Sequence, residues 1–356
     1  MALQAANIAD LVTATLRDLG RMQWVDLTSD LQEFIALPSL MKKHRSSFSS
    51  GYEIQWNVMK GTSGAARNVG LYATDDYNVD DQLTTASIPW RHSNTNYSID
   101  RRELRFNSGP AQIVELVKSR RADALIDLAT LMETNFWGYA TNASTKAPFG
   151  ISNYLVYNAS EGFNGGNQTG WSATAGIDRS ASTSLASRWK NYTAQYTTIN
   201  KTDLVRKWRR AAVFTNFMAP ISVPDYHRES RFGYYTNYDV LGTLEEILED
   251  QNENLGNDVA SKDGQVMFRR NPVIWVPHLD NNATHAAADP IFGINWGTAG
   301  FVFLKGEYLR EAPARQAPNN HTVSVVDVDL SYNFKITNPR RNFLLAKSDP
   351  AVANAG

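Results

Sequence analysis

Four aspartates crowd the stretch "DDYNVDD": Asp75, Asp76, Asp80 and Asp81. Oxygen-rich clusters can hold calcium, but this one lacks the Asp-x-Asp-x-Asp-Gly spacing and the distal Glu of a calcium loop. It reads as a solvated loop tip. A second group, "HLDNNATHAAADP", offers His278, Asp280, His285 and Asp289 without a His-x-x-x-His pair on one helix face. The chain has six histidines and no cysteine, which removes thiol catalysis, thiolate metal sites and disulfides together. The glycines of "GTSGAARNVG" (61–70) fit neither a Walker A loop nor the dinucleotide fingerprint, and no amphipathic helix follows them. There is no Gly-x-Ser-x-Gly elbow, and nothing sets a nucleophile beside its base. These residues assign no catalytic centre, no cofactor and no metal, and the chain is not read as an enzyme.

The basic residues come as scattered doublets: Lys42-Lys43, Arg101-Arg102, Arg120-Arg121, Arg209-Arg210, Arg269-Arg270 and Arg340-Arg341. Arginine pairs suit bidentate contact with carboxylates at interfaces. No block of five or more occurs, and the net charge is −1, which excludes a dedicated nucleic-acid binder.

The elements that must position these residues follow from pattern. The 356 residues, 42% hydrophobic and 20% charged, are enough for one large or two ordinary folded domains. No run is apolar for long enough to span a bilayer. "MALQAANIADLVTATLRDLG" lacks the basic start and apolar block of a signal peptide. Ile8, Leu11, Val12, Leu16 and Leu19 have helical spacing, and Pro38 breaks the segment that follows. This region has apolar anchors but no core, and reads as an arm.

Residues 51–106 change character. "GYEIQWNVMK" alternates Ile54, Trp56 and Val58 on one face, and "RNVGLYAT" and "SIPWRHSNTNYSIDRRELRFN" also read as extended. Two long strands with a polar tip make a projecting hairpin, which is marginal alone in water. Gly109 and Pro110 then open a long helix in which Ile113, Val117, Leu125, Leu128, Met132 and Phe136 recur every three or four residues. Arg120 and Arg121 interrupt the stripe, so no coiled-coil seam survives. The rod reads as a strut across a sheet. Residues 141–200 are Gly-, Ser-, Asn- and Thr-rich loop around a short strand, "GISNYLVY". Loops this long are functional or ordered by a neighbour. Helices are expected over 202–217 and 239–252, and the last hundred residues read as strands.

Arm, projecting hairpin, long strut helix and β-rich carboxyl half, in that order, resemble the major capsid proteins of tailed bacteriophages, with the Hong Kong 97-type fold. "ATNASTKAPFGISNYLV" looks like that family's turn off its spine helix, and "DGQVMFRRNPVIWVPHLD" resembles its Pro-Val strand. "VSVVDVDLSYNFKITNPRRNFLLAK" is similar to its closing strands. "DPIFGINWGTAGFVFLKGEYLRE" departs from the family, reading Gly293-Ile294-Asn295 where members usually have Gly-Asp or similar.

The resemblance implies an α+β fold in five parts. These are an N-terminal arm (1–50), an E-loop hairpin (51–107), and a peripheral P-domain (108–220) with its spine helix at 110–140. An axial A-domain (221–320) and closing strands returning to the P-domain (321–356) complete it. It implies self-assembly into hexamers and pentamers of an icosahedral head in the virion, built in the bacterial host cytoplasm. Separate scaffolding, portal and decoration proteins are the expected partners. Enclosed double-stranded DNA is expected to be touched weakly and non-specifically, and a membrane not at all. A fused scaffolding domain is not expected. Candidate inter-subunit contacts are Leu11, Leu16, Trp24, Trp56, Asp80, Asp81, Trp90, Arg101, Arg102, Arg340 and Arg341. Two other readings stand beside this one: an encapsulin-like nanocompartment shell, and a β-rich carbohydrate-binding or tail protein. The latter draws on nine Trp, 15 Tyr and 15 Phe.

Overall fold

The computed structural model describes residues 45–49, 51–60, 66–71, 74, 83–106, 110–216, 232–249, 266–269 and 271–354. The described chain enters at strand β1 (Arg45–Phe48) and continues into a hairpin of β2 (Glu53–Met59) and β3 (Leu83–Pro89). Strand β4 (Arg91–Asp100), helix α1 (Arg101–Phe106) and the 28-residue helix α2 (Pro110–Trp137) follow. Next come α3 (Ser184–Arg188), β5 (Tyr192–Gln195), α4 (Leu204–Thr215), β6 (Phe232–Thr236) and α5 (Tyr238–Glu249). Then β7 (Met267–Phe268), β8 (Asn271–Trp275), α6 (Pro277–Asn281), α7 (Ala283–Ala288) and β9 (Ile291–Asn295) are found. The last strands are β10 (Ala299–Leu304), β11 (Arg310–Glu311), β12 (Arg315–Ala317), β13 (Asn320–Ile336) and β14 (Phe343–Ala346).

Two six-stranded sheets organise these elements. In the first, the 17-residue β13 is the axle. It pairs antiparallel with β4 over Val323–Tyr332, and with β12, β11 and β10 in succession. β1 adds in parallel to β10, so the incoming chain forms an edge of this sheet. The second sheet runs β5-β14-β9-β6-β8-β7. Its composition divides neither at residue 220 nor at residue 320: β5 belongs to it, β10 to β12 do not, and β14 rejoins it. Sheet pairing joins residues far apart in sequence.

Helix α2 joins the sheets. Ala124, Leu128, Met132 and Phe136 are buried at four-residue intervals, the row that faces one side of a helix. The two arginines that break the stripe are tethers. Arg120 Nη1 donates to Ser98 O at 2.8 Å and pairs with Glu103 at 2.7 Å. Arg121 pairs with Glu311 on β11. The helix stops at Trp137, short of the expected Ala140, because the carboxyl end of the chain takes over: Tyr139 N donates to Val352 O, and Asn354 N to Tyr139 O. On the second sheet, Leu204, Trp208, Ala211, Val240 and Leu244 from α4 and α5 make a separate core with Tyr192, Tyr234, Ile291 and Phe343.

Three local expectations fail. "RRELRF" is helical, not extended, because the Asp100 carboxylate accepts the Arg102 N–H at 2.8 Å and starts a helix there. "GISNYLVY" holds a single 3-10 turn at Ile151–Asn153 rather than a strand. Asn153 Oδ1 accepts from Ala140 N and Gly150 N and pulls the backbone into that turn. Of "RNVGLYAT", the described residues 67–71 and 74 form no strand. Among the described residues, no helix is long and apolar enough to cross a membrane.

Candidate assembly surfaces

The hairpin β2–β3 is two different things along its length. At its root, Ile54, Ala86 and Ile88 are fully buried in the main core. The Trp90 indole N–H donates to Gly51 O at 2.9 Å, and Ser87 N donates to Ala175 O. Asn333 Nδ2 donates to Pro89 O at 2.7 Å, while its Oδ1 accepts Phe149 N at 2.8 Å. One buried amide thus ties the hairpin, the loop after α2, and β13. Farther out the apolar side chains lack cover: Met59, Val69 and Leu83 are exposed, and Leu71 is 94% exposed. A ribbon of two strands has no face on which to bury them, and exposed apolar patches of this kind mark contact surfaces.

The other candidate contacts separate by environment. Trp56 on β2 is half-buried, and its indole N–H has no acceptor among the described residues. Arg101 and Arg102 are exposed on α1. Arg340 stacks over the Phe163 ring at 4.2 Å, and burial, then the neighbouring Arg188, lowers its pKa. Arg341 is only 1% exposed, and burial lowers its pKa as well. Its side chain lies inside the subunit, so only Arg340 of that doublet offers a surface. Leu11, Leu16, Trp24, Asp80 and Asp81 lie outside the described residues.

A cleft of about 1050 Å³ opens between the hairpin root and the two sheets. Trp56 and Met59 line it from β2, Phe163 and Arg188 from the Asn/Gly-rich region, and Lys335 and Arg340 from the far side. Lys335 lies over the Phe48 ring at 5.2 Å, and burial lowers its pKa.

The described residues among those singled out for chemistry serve structure, and Asp75 and Asp76 lie outside the described residues. Asp280 accepts from Trp275 Nε1 and from Tyr238 N. Asp289 binds Lys347 and Asn237. His278 and His285 have ring centroids 6.3 Å apart, and burial, with His278 nearby, pushes His285 down to about 4. Among the described residues, no three His, Asp or Glu side chains gather as metal ligands.

Sequence reasoning missed the buried amides. Asn191 Oδ1 accepts Val156 N and its Nδ2 donates to Val156 O, while Asn342 Oδ1 accepts Asn295 N at 2.7 Å. It also missed Arg179, fully buried, whose Nη1 donates to Gly166 O at 3.0 Å and whose pKa burial lowers to about 9. The signal was the Asn-rich composition of 141–200: these side chains hold the long loop to its own subunit.

No protein-family model and no curated protein sequence matches the chain. Solved structures do. The capsid of a native GTA particle matches with a TM-score of 0.57 at 12% identity, covering 91% of this chain and 92% of that one. The capsid of cyanophage A-1(L) matches at 0.57 and 15% identity, covering 94% and 98%. The holo-SrpI encapsulin complex from Synechococcus elongatus matches at 0.51 and 12% identity, covering 97% and 98%. At these identities the likeness is one of fold: the chain has the Hong Kong 97-type fold, α+β as expected.

Proposed function

We propose that this chain is a shell-forming subunit, the major capsid protein of a tailed-bacteriophage head. The observation that carries the reading is the hairpin: a rooted ribbon whose outer apolar side chains find no cover among the described residues, on a fold shared with shell proteins. Burying such side chains against sister copies is worth about 25 cal/mol per Å². Obligate interfaces of roughly 2,000–5,000 Å² supply ample area to offset the ordering cost.

In this reading the sheet on β13, with α2 as its spine, is the peripheral domain. The sheet flanked by α4 and α5 is the axial domain, and residues 1–50, which include β1, are the arm. Hexamers and pentamers form through axial domains, and each hairpin lies over a neighbour. Scaffolding, portal and decoration proteins would be separate chains. The near-neutral charge limits repulsion between packed copies and leaves enclosed DNA loosely held. The place of action is the virion, after assembly in the host cytoplasm.

A second reading, a nanocompartment shell, draws support from the encapsulin match over 97% of this chain. The carbohydrate-binding reading needs exposed tryptophans. Among the described residues, Trp137, Trp189, Trp208 and Trp296 are buried, and no other tryptophan is exposed. Electron microscopy of the expressed chain tests the proposal. Closed shells or capsomer rings are expected, and a monodisperse monomer at all concentrations overturns it. Nuclease-protected DNA inside native particles supports the phage reading, and enzyme cargo supports the compartment.

A further inference from the structure

The contacts that tie Asp289 into the fold also surround a reactive bond. Asp289 precedes Pro290, and both are buried. An Asp–Pro bond carries its own nucleophile, because the side-chain carboxylate can attack the main-chain carbonyl carbon of the same residue. The leaving nitrogen is proline's, which becomes a secondary amine when freed and takes up a proton readily. Asp289 is held at φ 45° and ψ 59°, a left-handed conformation uncommon outside glycine.

Three side chains complete the setting. The Tyr196 hydroxyl donates to Asp289 O, the carbonyl that would be attacked, at 2.5 Å. Burial, then the negative charges of Asp289 and Asp203, raises the Tyr196 pKa, so the hydroxyl keeps its proton. A donor at that oxygen stabilises a tetrahedral oxyanion. The Lys347 ammonium pairs with one carboxylate oxygen of Asp289, and Asn237 Nδ2 donates to the other at 2.5 Å. The sheet brings these groups together. β14 and β6 run antiparallel to β9 on its two sides, so Lys347 and Asn237, just past their ends, flank Asp289 just before its start. Lys347 N donates to Ala288 O, and Gln195 Nε2 donates to Lys347 O, which fixes the lysine backbone beside the bond. The chain contains its own comparison. Its other Asp–Pro bond, Asp349–Pro350, has an exposed aspartate whose carboxylate accepts from Ala351 N and pairs with no lysine among the described residues.

We propose that Asp289 is a self-processing site. Its carboxylate attacks its own carbonyl carbon, and the C–N bond to Pro290 breaks. Lys347 gives its ammonium proton to the Pro290 nitrogen, which leaves as an amine. The freed Lys347 Nζ then opens the cyclic anhydride at the side-chain carbonyl and forms an isopeptide bond, releasing the Asp289 α-carboxylate. The proton that Nζ loses in this step goes to the new proline terminus. No water, oxidant or cofactor is consumed, so the product has the mass of the starting chain. The backbone is cut ahead of β9, yet residues 289 and 347 are joined and the sheet stays in one covalent piece. The proposal goes beyond shell formation and stands whether or not the chain builds shells.

The test uses the purified full chain, incubated folded and in denaturant, then digested and read by mass spectrometry. The folded chain should accumulate peptides that begin at Pro290 and a branched peptide that joins Asp289 to Lys347, with the intact mass unchanged. Pro290 termini should exceed Pro350 termini on the order of a hundredfold. Equal yields at the two bonds overturn the proposal, as does an excess at Pro290 that persists in denaturant, where only local sequence acts. Pro290 termini on chains heavier by one water, without the branch, overturn capture by Lys347. Tyr196→Phe should slow processing about tenfold or more, and an unchanged rate overturns the role of the hydroxyl. Lys347→Arg keeps the positive charge but removes the amine, and it should abolish the branched peptide. A branch from Asp289 to another residue overturns the assignment.

Discussion

The rings of Phe136 and Trp137 stand 4.8 Å apart at 73°, and the two sheets divide between them. Phe136 packs edge-on against Phe334 of β13 at 5.1 Å and lies tilted against Phe301 of β10 at 5.4 Å. Trp137 meets Phe292 of β9 at 5.6 Å and Tyr235 of β6 at 5.7 Å, and its N–H donates to the buried Glu133 carboxylate at 2.7 Å. Two consecutive residues at the end of α2 therefore couple the sheets. Consecutive helical positions point about 100° apart, which allows one turn of helix to reach both.

Phe136→Ala and Trp137→Ala are each expected to cost about 3–5 kcal/mol, through lost burial and the cavity left behind. Because the rings touch, the double variant should depart from additivity by about 0.5–1.5 kcal/mol. Denaturant midpoints of the four proteins measure both quantities. Additive effects would mean that the sheets are held independently.

Asn333→Leu keeps much of the volume but removes the donor to Pro89 O and the acceptor of Phe149 N. The buried N–H groups of Phe149 and Phe334 lose this acceptor and Pro89 O loses this donor, at a cost of about 3 kcal/mol in all. Hydrogen exchange at the Phe149 amide should accelerate with the loss of stability. An exchange rate like that of the unaltered chain would argue that another group replaces the amide.

Acid should destabilise the subunit through His285. Its folded pKa is depressed to about 4 from an ordinary 6.5 by burial, with His278 adding to the effect. Between those values the unfolded chain binds a proton that the folded one refuses. Stability is therefore full above about pH 6.5 and falls as pH drops toward 4, by a total on the order of 3 kcal/mol. His285→Leu should flatten that slope in pH-dependent unfolding curves. An unaltered slope would assign it to other groups.

The hairpin prediction separates folding from assembly. Met59→Asp, Leu71→Asp and Leu83→Asp alter exposed side chains, so subunit stability should change by no more than about 0.5 kcal/mol per site. Particle yield, counted by electron microscopy, should collapse. Normal particles from the triple variant would remove the hairpin from the contact surface.

Local signals were legible without coordinates. Apolar spacing of three and four residues marked α2, α4 and α5, and alternation marked β2, because periodicity depends only on neighbours along the chain. The order of these elements was enough to recognise the fold. What stayed hidden depends on partners distant in sequence. The pattern of "RRNFLLAKS" reads as strand, but nothing local says that Phe343–Ala346 joins β5 and β9 rather than β13 beside it. Arg340 and Arg341 look alike in sequence, yet one lies over an aromatic ring and the other is buried. Composition showed 141–200 to be loop. Only the folded chain decides that Asn153, Asn191 and Asn333 order and anchor it, since an amide side chain acquires its partners when remote backbone is brought within hydrogen-bond reach.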